Sequence, residues 1–283
     1  MNSNNLESFS GTIANFVSFL EKNRYSYSTI KAYKKAVCSF FVSTGASPST
    51  VGESDLKAYI EEKQSENISE GFLRQMVSAI KLLFSGVFKR DLETEHLYQP
   101  QREYKVPEVL TKKEINRILE ATDNLKHRAI LTGLYSGGLR LSEITGLEIS
   151  DIDFKNMLIV IRSDFGLKER EVMLSIRFRD ILLQYLKMYM PKKWLFEGNQ
   201  SAKPYSNRSV QQVFANAITR AGIEKKVSVH TLRHSFATHL LESGTDIHII
   251  QDFLGHSSIK TTKVYQQIAK ADKHKILSPM DMI

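Results

Sequence analysis

From about residue 92 to 108 the hydrophobic period of this chain stops. On either side apolar residues recur at helical spacing. Within the stretch, Pro100 and Pro107 stand among charges with no repeat. Proline cannot donate a ladder bond and restricts its predecessor, so such a stretch reads as a linker. The chain therefore divides into a helical front domain over 1–92, a linker over 93–108 and a second domain over 109–283. A length of 283 residues suits two ordinary domains.

In the front domain Phe16, Phe19 and Leu20 mark an opening helix. Tyr25-Ser26-Tyr27-Ser28 breaks it, and Ser28 or Thr29 is placed to cap the next. That helix carries Ile30, Tyr33, Val37, Phe40 and Phe41 at close to 3.6 spacing, with Lys31, Lys34 and Lys35 off the stripe. A third helix runs roughly from Glu53 to Gln64. A fourth has Phe72, Leu73, Met76, Val77, Ile80, Leu83 and Phe84 on one face and Arg74 and Lys81 on another. The second domain opens on Thr111-Lys112-Lys113-Glu114, a capping box. It is mostly helical, except that Leu158–Ile161 and Val172–Leu174 read as strands with a turn at Gly166. The expected fold class is mainly α with a small β-sheet, in two domains.

Lys and Arg total 39 against 31 Asp and Glu, a net charge of +8, and a polyanion is the favoured partner of such a surface. The single cysteine, Cys38, excludes an internal disulfide and a cysteine-based zinc site, and its apolar surroundings suggest packing. The N-terminus has neither the basic nor the apolar region of a signal peptide, and no run reaches the ~18 uninterrupted apolar residues of a membrane span. A cytoplasmic protein is expected. Neither glycine-rich phosphate-loop pattern occurs.

Chemistry concentrates in four segments of the second domain. Arg140 follows Gly137-Gly138, where backbone or substrate can approach closely, and Glu143 lies three residues on, placed to hold it by a charge-assisted bond. His230 and Arg233, three apart, share a helix face. His256 follows Gly255 at a helix break, and Tyr265 lies in the next amphipathic stretch. Two arginines, two histidines and a tyrosine suit a phosphodiester. Guanidinium presents a planar fork of donors to phosphate oxygens, fixed donors stabilise transition-state charge, and tyrosine is a covalent nucleophile. Chemistry of this kind asks for no metal and no cofactor. An isolated His-x-x-Arg or Gly-Gly-Leu-Arg means little; order and spacing together carry the weight. His239 and His248 read as packing.

These segments resemble the tyrosine recombinases, also called phage-type integrases. The likeness lies in Gly138-Leu139-Arg140-Leu141-Ser142-Glu143, in His230-Thr231-Leu232-Arg233-His234-Ser235-Phe236-Ala237-Thr238, in Leu254-Gly255-His256, and in Thr261-Thr262-Lys263-Val264-Tyr265. It covers about 175 residues, and the front domain resembles the family's core-binding domain through layout. The resemblance implies that Arg140, Arg233 and His256 neutralise a scissile phosphate, that His230 assists proton transfer and that Tyr265 attacks. The product is a 3′-phosphotyrosyl link, which a second strand's 5′-hydroxyl reverses without ATP. Relatives carry a catalytic lysine on the hairpin. Here Phe165 falls at that position, and Lys168 is the lysine at the turn, so the role passes to Lys168.

The two-domain layout is similar to that of the Xer recombinases, which resolve chromosome dimers at dif-type sites and so serve chromosome segregation. Simple mobile-element integrases share it, and a relative that binds DNA without cutting is a third reading. A type IB topoisomerase shares the tyrosine chemistry, but the short chain and Xer-like motifs argue against it. The implied partners are double-stranded DNA and further recombinase subunits, as a tetramer on two sites. In that assembly the apolar tail (Ile276, Leu277, Met280, Met282, Ile283) packs into a neighbour. Lys31, Lys34, Lys35, Arg74 and Lys81 are the expected DNA contacts of the front domain, which together with the second would clamp the duplex.

Overall fold

The computed structural model describes residues 3–48, 50–66, 68–92, 107–162, 170–198 and 203–255. Lys168, Phe165, Gly166, His256, Tyr265, the apolar tail and most of the expected linker lie outside these residues. The chain forms two compact units, Met1–Tyr104 and Lys105–Ile283.

The first unit is helical: α1 (Ser3–Lys22), α2 (Tyr27–Thr44), α3 (Glu53–Ser65) and α4 (Glu70–Leu83), with a π-helical turn at Phe84–Phe88. Phe16, Leu20, Val37, Phe40, Ile80 and Leu83 are fully enclosed in its core. Two expectations are corrected. The cap of α2 is Ser26, not Ser28 or Thr29, because its Oγ accepts the Thr29 backbone N–H at 3.2 Å and the helix already starts at Tyr27. Phe72 is exposed, since it sits in the first turn of α4, beside the buried stripe begun by Leu73. The stretch Glu70–Phe88 is long and apolar enough to cross a membrane by composition alone, but Leu73, Met76, Ile80 and Leu83 along it are core residues of this unit. Cys38 packs half-buried against the core.

The second unit holds α5 (Lys112–Glu120), α6 (Leu125–Ser136), α7 (Leu141–Gly146), α8 (Ile176–Tyr189), α9 (Asn207–Arg220), α10 (Val229–Glu242) and α11 (Ile247–Leu254). The Thr111–Glu114 capping box forms in both directions: Thr111 Oγ1 accepts the Glu114 N–H at 3.2 Å and Glu114 accepts the Thr111 N–H at 2.7 Å. A three-stranded antiparallel sheet, β1 (Ile152–Asp153), β2 (Leu158–Ile161) and β3 (Arg170–Met173), runs in that order. The pair β2–β3 is the expected one, except that β3 starts two residues earlier, at Arg170, and stops before Leu174; β1, two residues long, has no readable alternation. Ile159 and Ile161 of β2 face the core, and β3 sets Val172 opposite Ile159 and Arg170 opposite Ile161. Directly opposed residues share a face of a sheet, so Arg170 is aimed inward.

Candidate active site

The site is built around two tight glycine turns. Gly138, at φ +57°, follows α6. A Cβ there would stand 2.4 Å from Phe236 Cδ1, so both backbone sign and space demand glycine. Helix α11 ends at Gly255, φ +59°, in the left-handed conformation usual after a helix. A side chain there would press on Arg170, 3.0 Å from its Cδ. Phe236 and Ala237 of α10 pack against Ile250 and Leu254 of α11, which fixes α11 and its C-terminus against α10.

A helix end leaves carbonyls without intrahelical donors. At α11 three successive carbonyls each receive a different arginine. Phe253 O accepts Arg170 Nε at 2.9 Å, Leu254 O accepts Arg233 Nη2, and Gly255 O accepts Arg140 Nη2 at 3.1 Å. Cations are favoured at this end of a helix by its dipole. The next residue in the chain is His256.

Arg140 is the N-cap of α7, and Glu143 is three residues on. The Glu143 carboxylate accepts four hydrogen bonds. Oε1 takes Arg140 Nη1 at 2.7 Å and Arg170 Nη1 at 2.8 Å; Oε2 takes the Arg140 backbone N–H at 2.7 Å and Arg170 Nη2 at 2.8 Å. Arg233 Nη1 stands 4.0 Å from Oε2 and donates to the Gly138 carbonyl at 2.7 Å. Four bonds fill the acceptor capacity of a carboxylate. Burial raises the Glu143 pKa, but the bonds and charges of Arg170 and then Arg140 outweigh it and hold the group at about 2. Glu143 is thus a fixed anion, not a proton acceptor.

The three guanidiniums differ in access. The Arg233 residue is 6% exposed and the Arg170 side chain 17%, whereas the Arg140 side chain is 40% exposed. The expectation that His230 and Arg233 share a helix face is qualified by their burial. They lie one turn apart on α10, but His230 is exposed at the helix start and Arg233 is buried. Burial, then the nearby His230 and Arg233 charges, push the His234 pKa down, which favours the neutral ring. His239 is buried and hydrogen-bonded to the Tyr135 hydroxyl at 2.9 Å, as a packing residue, whereas His248 is exposed near the start of α11 and its reading as packing is corrected. Sequence reasoning gave Arg170 no role. A signal was present: Arg170, Val172 and Leu174 alternate, so an inward valine implies an inward arginine, which needs a buried partner. Among the described residues no group of three or more His, Cys, Asp or Glu is placed to hold a metal ion.

In the first unit Lys31, Lys34, Lys35 and Arg74 are exposed and Lys81 is half-buried. Such groups can meet a phosphate backbone without rearrangement of the core.

The site is thus a cluster of arginines locked by one carboxylate, on a mainly helical unit with a three-stranded sheet. The phage integrase family matches residues 108–272, and the N-terminal SAM-like domain of phage integrases matches residues 13–94. The protein y4qK of Sinorhizobium fredii, which bears the name integrase/recombinase, is 34% identical over 93% of this chain and 86% of its own length. Tyrosine recombinase XerA of Pyrococcus horikoshii is 32% identical over 92% of this chain and 90% of its own. The solved structure of XerH recombinase bound to palindromic difH substrate shares the fold, with a TM-score of 0.71 and 24% identity over 86% of this chain and 77% of that one. The chain belongs to the tyrosine recombinases of the phage integrase family, enzymes that cut and rejoin DNA.

Proposed function

We propose that this recombinase acts as Xer-type enzymes do, resolving chromosome dimers at a dif-type site. The observation that carries the site assignment is the set of arginines gathered around Glu143 and the end of α11. Arg140 and Arg233, with His256, bind the scissile phosphate and neutralise the charge that grows on its oxygens. The Tyr265 oxygen attacks phosphorus, the bond to the 5′-oxygen breaks, and that oxygen takes a proton from Lys168. His230, exposed in the first turn of α10, assists proton transfer near that phosphate as the Tyr265 hydroxyl gives up its proton. The 3′-phosphotyrosyl bond is then opened by a 5′-hydroxyl of a second strand. Glu143 supports Arg140 and takes no proton.

Lys31, Lys34, Lys35, Arg74 and Lys81 contact the duplex backbone and set affinity, not rate. The working assembly is a tetramer on two sites, with each apolar tail seated in a neighbouring subunit, in the cytoplasm. Similarity to XerA over nearly the whole chain supports the Xer role. The likeness to y4qK, an integrase/recombinase by name, favours a second reading as a mobile-element integrase.

Incubation with a nicked candidate-site duplex and a denaturing gel tests the chemistry. A covalent protein–DNA band is expected with wild type. A retarded native complex without that band points to a relative that only binds. Strand exchange between two chromosomal dif-type duplexes, against exchange between mobile-element ends, decides the role.

A further inference from the structure

We propose that Arg170 is a positioning residue for strand cleavage: it neutralises Glu143 and thereby limits the hold of that carboxylate on Arg140 and Arg233. This rests on the cleavage reading above. Arg170 takes both oxygens of Glu143 in a parallel two-bond fork, at 2.8 Å each, and uses its Nε on the Phe253 carbonyl. It lies at the first position of β3, two residues after Lys168 in the chain. One planar group thus ties the strand, α7 and the end of α11 together.

Charge balance gives the tie its consequence. Three guanidiniums surround one carboxylate, at 2.7, 2.8 and 4.0 Å, which leaves two positive charges in excess. A phosphodiester carries one negative charge, and attack by a tyrosinate oxygen gives a phosphorane with two. The cluster matches the second species. Without Arg170 one positive charge remains in excess, and the bonds that Glu143 loses draw on Arg140 and Arg233. Those two guanidiniums are then held by the protein's own carboxylate in competition with the phosphate.

The measurement is the single-turnover rate of covalent complex formation, at saturating nicked candidate-site duplex. It compares wild type, Arg170→Ala, Arg170→Lys and the double variant Arg170→Ala with Glu143→Gln. A charge-assisted hydrogen bond is worth about 10–100-fold. Arg170→Ala is expected to slow cleavage by about that factor, with duplex affinity within a few-fold of wild type. Arg170→Lys recovers part, because an ammonium keeps the charge but not the fork. The double variant regains about tenfold over Arg170→Ala, because the unneutralised anion is gone. A packing role alone predicts that the double variant is no faster than the single one. That result, or wild-type cleavage by Arg170→Ala, overturns the proposal. If Arg170→Ala does not fold, Arg170→Gln, uncharged but of similar reach, with and without Glu143→Gln makes the same comparison.

A second readout needs no cleavage. Binding of an intact duplex is compared with binding of one carrying a neutral methylphosphonate at the candidate scissile position. Neutralisation is expected to weaken wild type by about tenfold and Arg170→Ala by clearly less. Equal weakening of both overturns the proposal. Absence of a covalent band from wild type overturns the cleavage reading instead and leaves this binding comparison to decide the role of Arg170.

Discussion

The two units carry basic residues in opposite ways. In the first, Lys31, Lys34, Lys35 and Arg74 stand out from the surface of α2 and α4. Their charges stay hydrated and are screened by salt over about 8–10 Å. In the second, Arg233 and Arg170 are turned inward, and with Arg140 they hold three consecutive carbonyls of α11 and one carboxylate. A buried guanidinium must be satisfied by fixed partners, so its position is set by the fold before any DNA arrives. The difference separates two jobs for one kind of charge. In the proposed mechanism exposed lysines attract and grip a duplex, and preorganised arginines act on charge that exists only as a bond breaks.

The sharpest way to break this division is to remove the nucleophile alone. Tyr265→Phe is expected to abolish the covalent band while duplex affinity stays near wild type, as a filter-binding titration beside the denaturing gel would read. A persistent band assigns the attack to another residue.

Next in size is the hairpin. Lys168→Ala is expected to slow cleavage by ~10²–10⁴, the usual reach of general acid catalysis. A substrate with sulfur in place of the bridging 5′-oxygen has a leaving group that needs little protonation. It should restore most of the rate to Lys168→Ala and little to Arg233→Ala. A defect without rescue makes Lys168 a phosphate or hairpin contact. Arg233→Ala itself is expected to cost about 10²–10³ in single-turnover rate. Loss of binding and cleavage in equal proportion would make Arg233 an ordinary backbone clamp.

Parts of the fold and of the arginine cluster were legible in the sequence, and the limits are instructive. The capping box at Thr111 and Glu114 is local chemistry, and it formed where the four residues predict it. The Arg140–Glu143 bond is also local, three residues apart. Arg170 escaped because its partners are remote: Glu143 lies 27 residues away and Phe253 83. Only the fold brings them together. His230 and Arg233 shared a predicted face, yet burial split them, because the position of α11 against α10 decides which turn is covered. β1 is too short to show alternation, and Phe72 was misplaced because a helix's first turn lies at the edge of its buried stripe.

A smaller effect sharpens the same comparison through pH. The Glu143 carboxyl is held at about 2 in the folded protein, below its ordinary value of 4.5. A depressed carboxylate pKa adds stability that is present above the unfolded value and is lost as pH falls through the folded one. Thermal melts between pH 6 and pH 2 are therefore expected to lose stability progressively below about pH 4.5. Glu143→Gln is expected to lower stability at neutral pH by about 3–5 kcal/mol, because it leaves buried guanidinium charge uncompensated, and to flatten part of the acid limb. An unchanged acid limb in that variant places the titrating groups elsewhere.

The central claim is that the second unit's arginines act on rate and the first unit's lysines on grip. Single-turnover cleavage at saturating duplex tests it directly, with Arg140→Ala beside a Lys31, Lys34 and Lys35 triple alanine variant. The triple variant is expected to need more DNA, to show a log–log salt slope shallower by up to about 0.9 per lost phosphate contact, and to cleave at the wild-type rate once saturated. Arg140→Ala is expected to remain slow by about 10²-fold or more however much DNA is added. Recovery of Arg140→Ala at saturation, or a triple variant that stays slow there, would contradict the account.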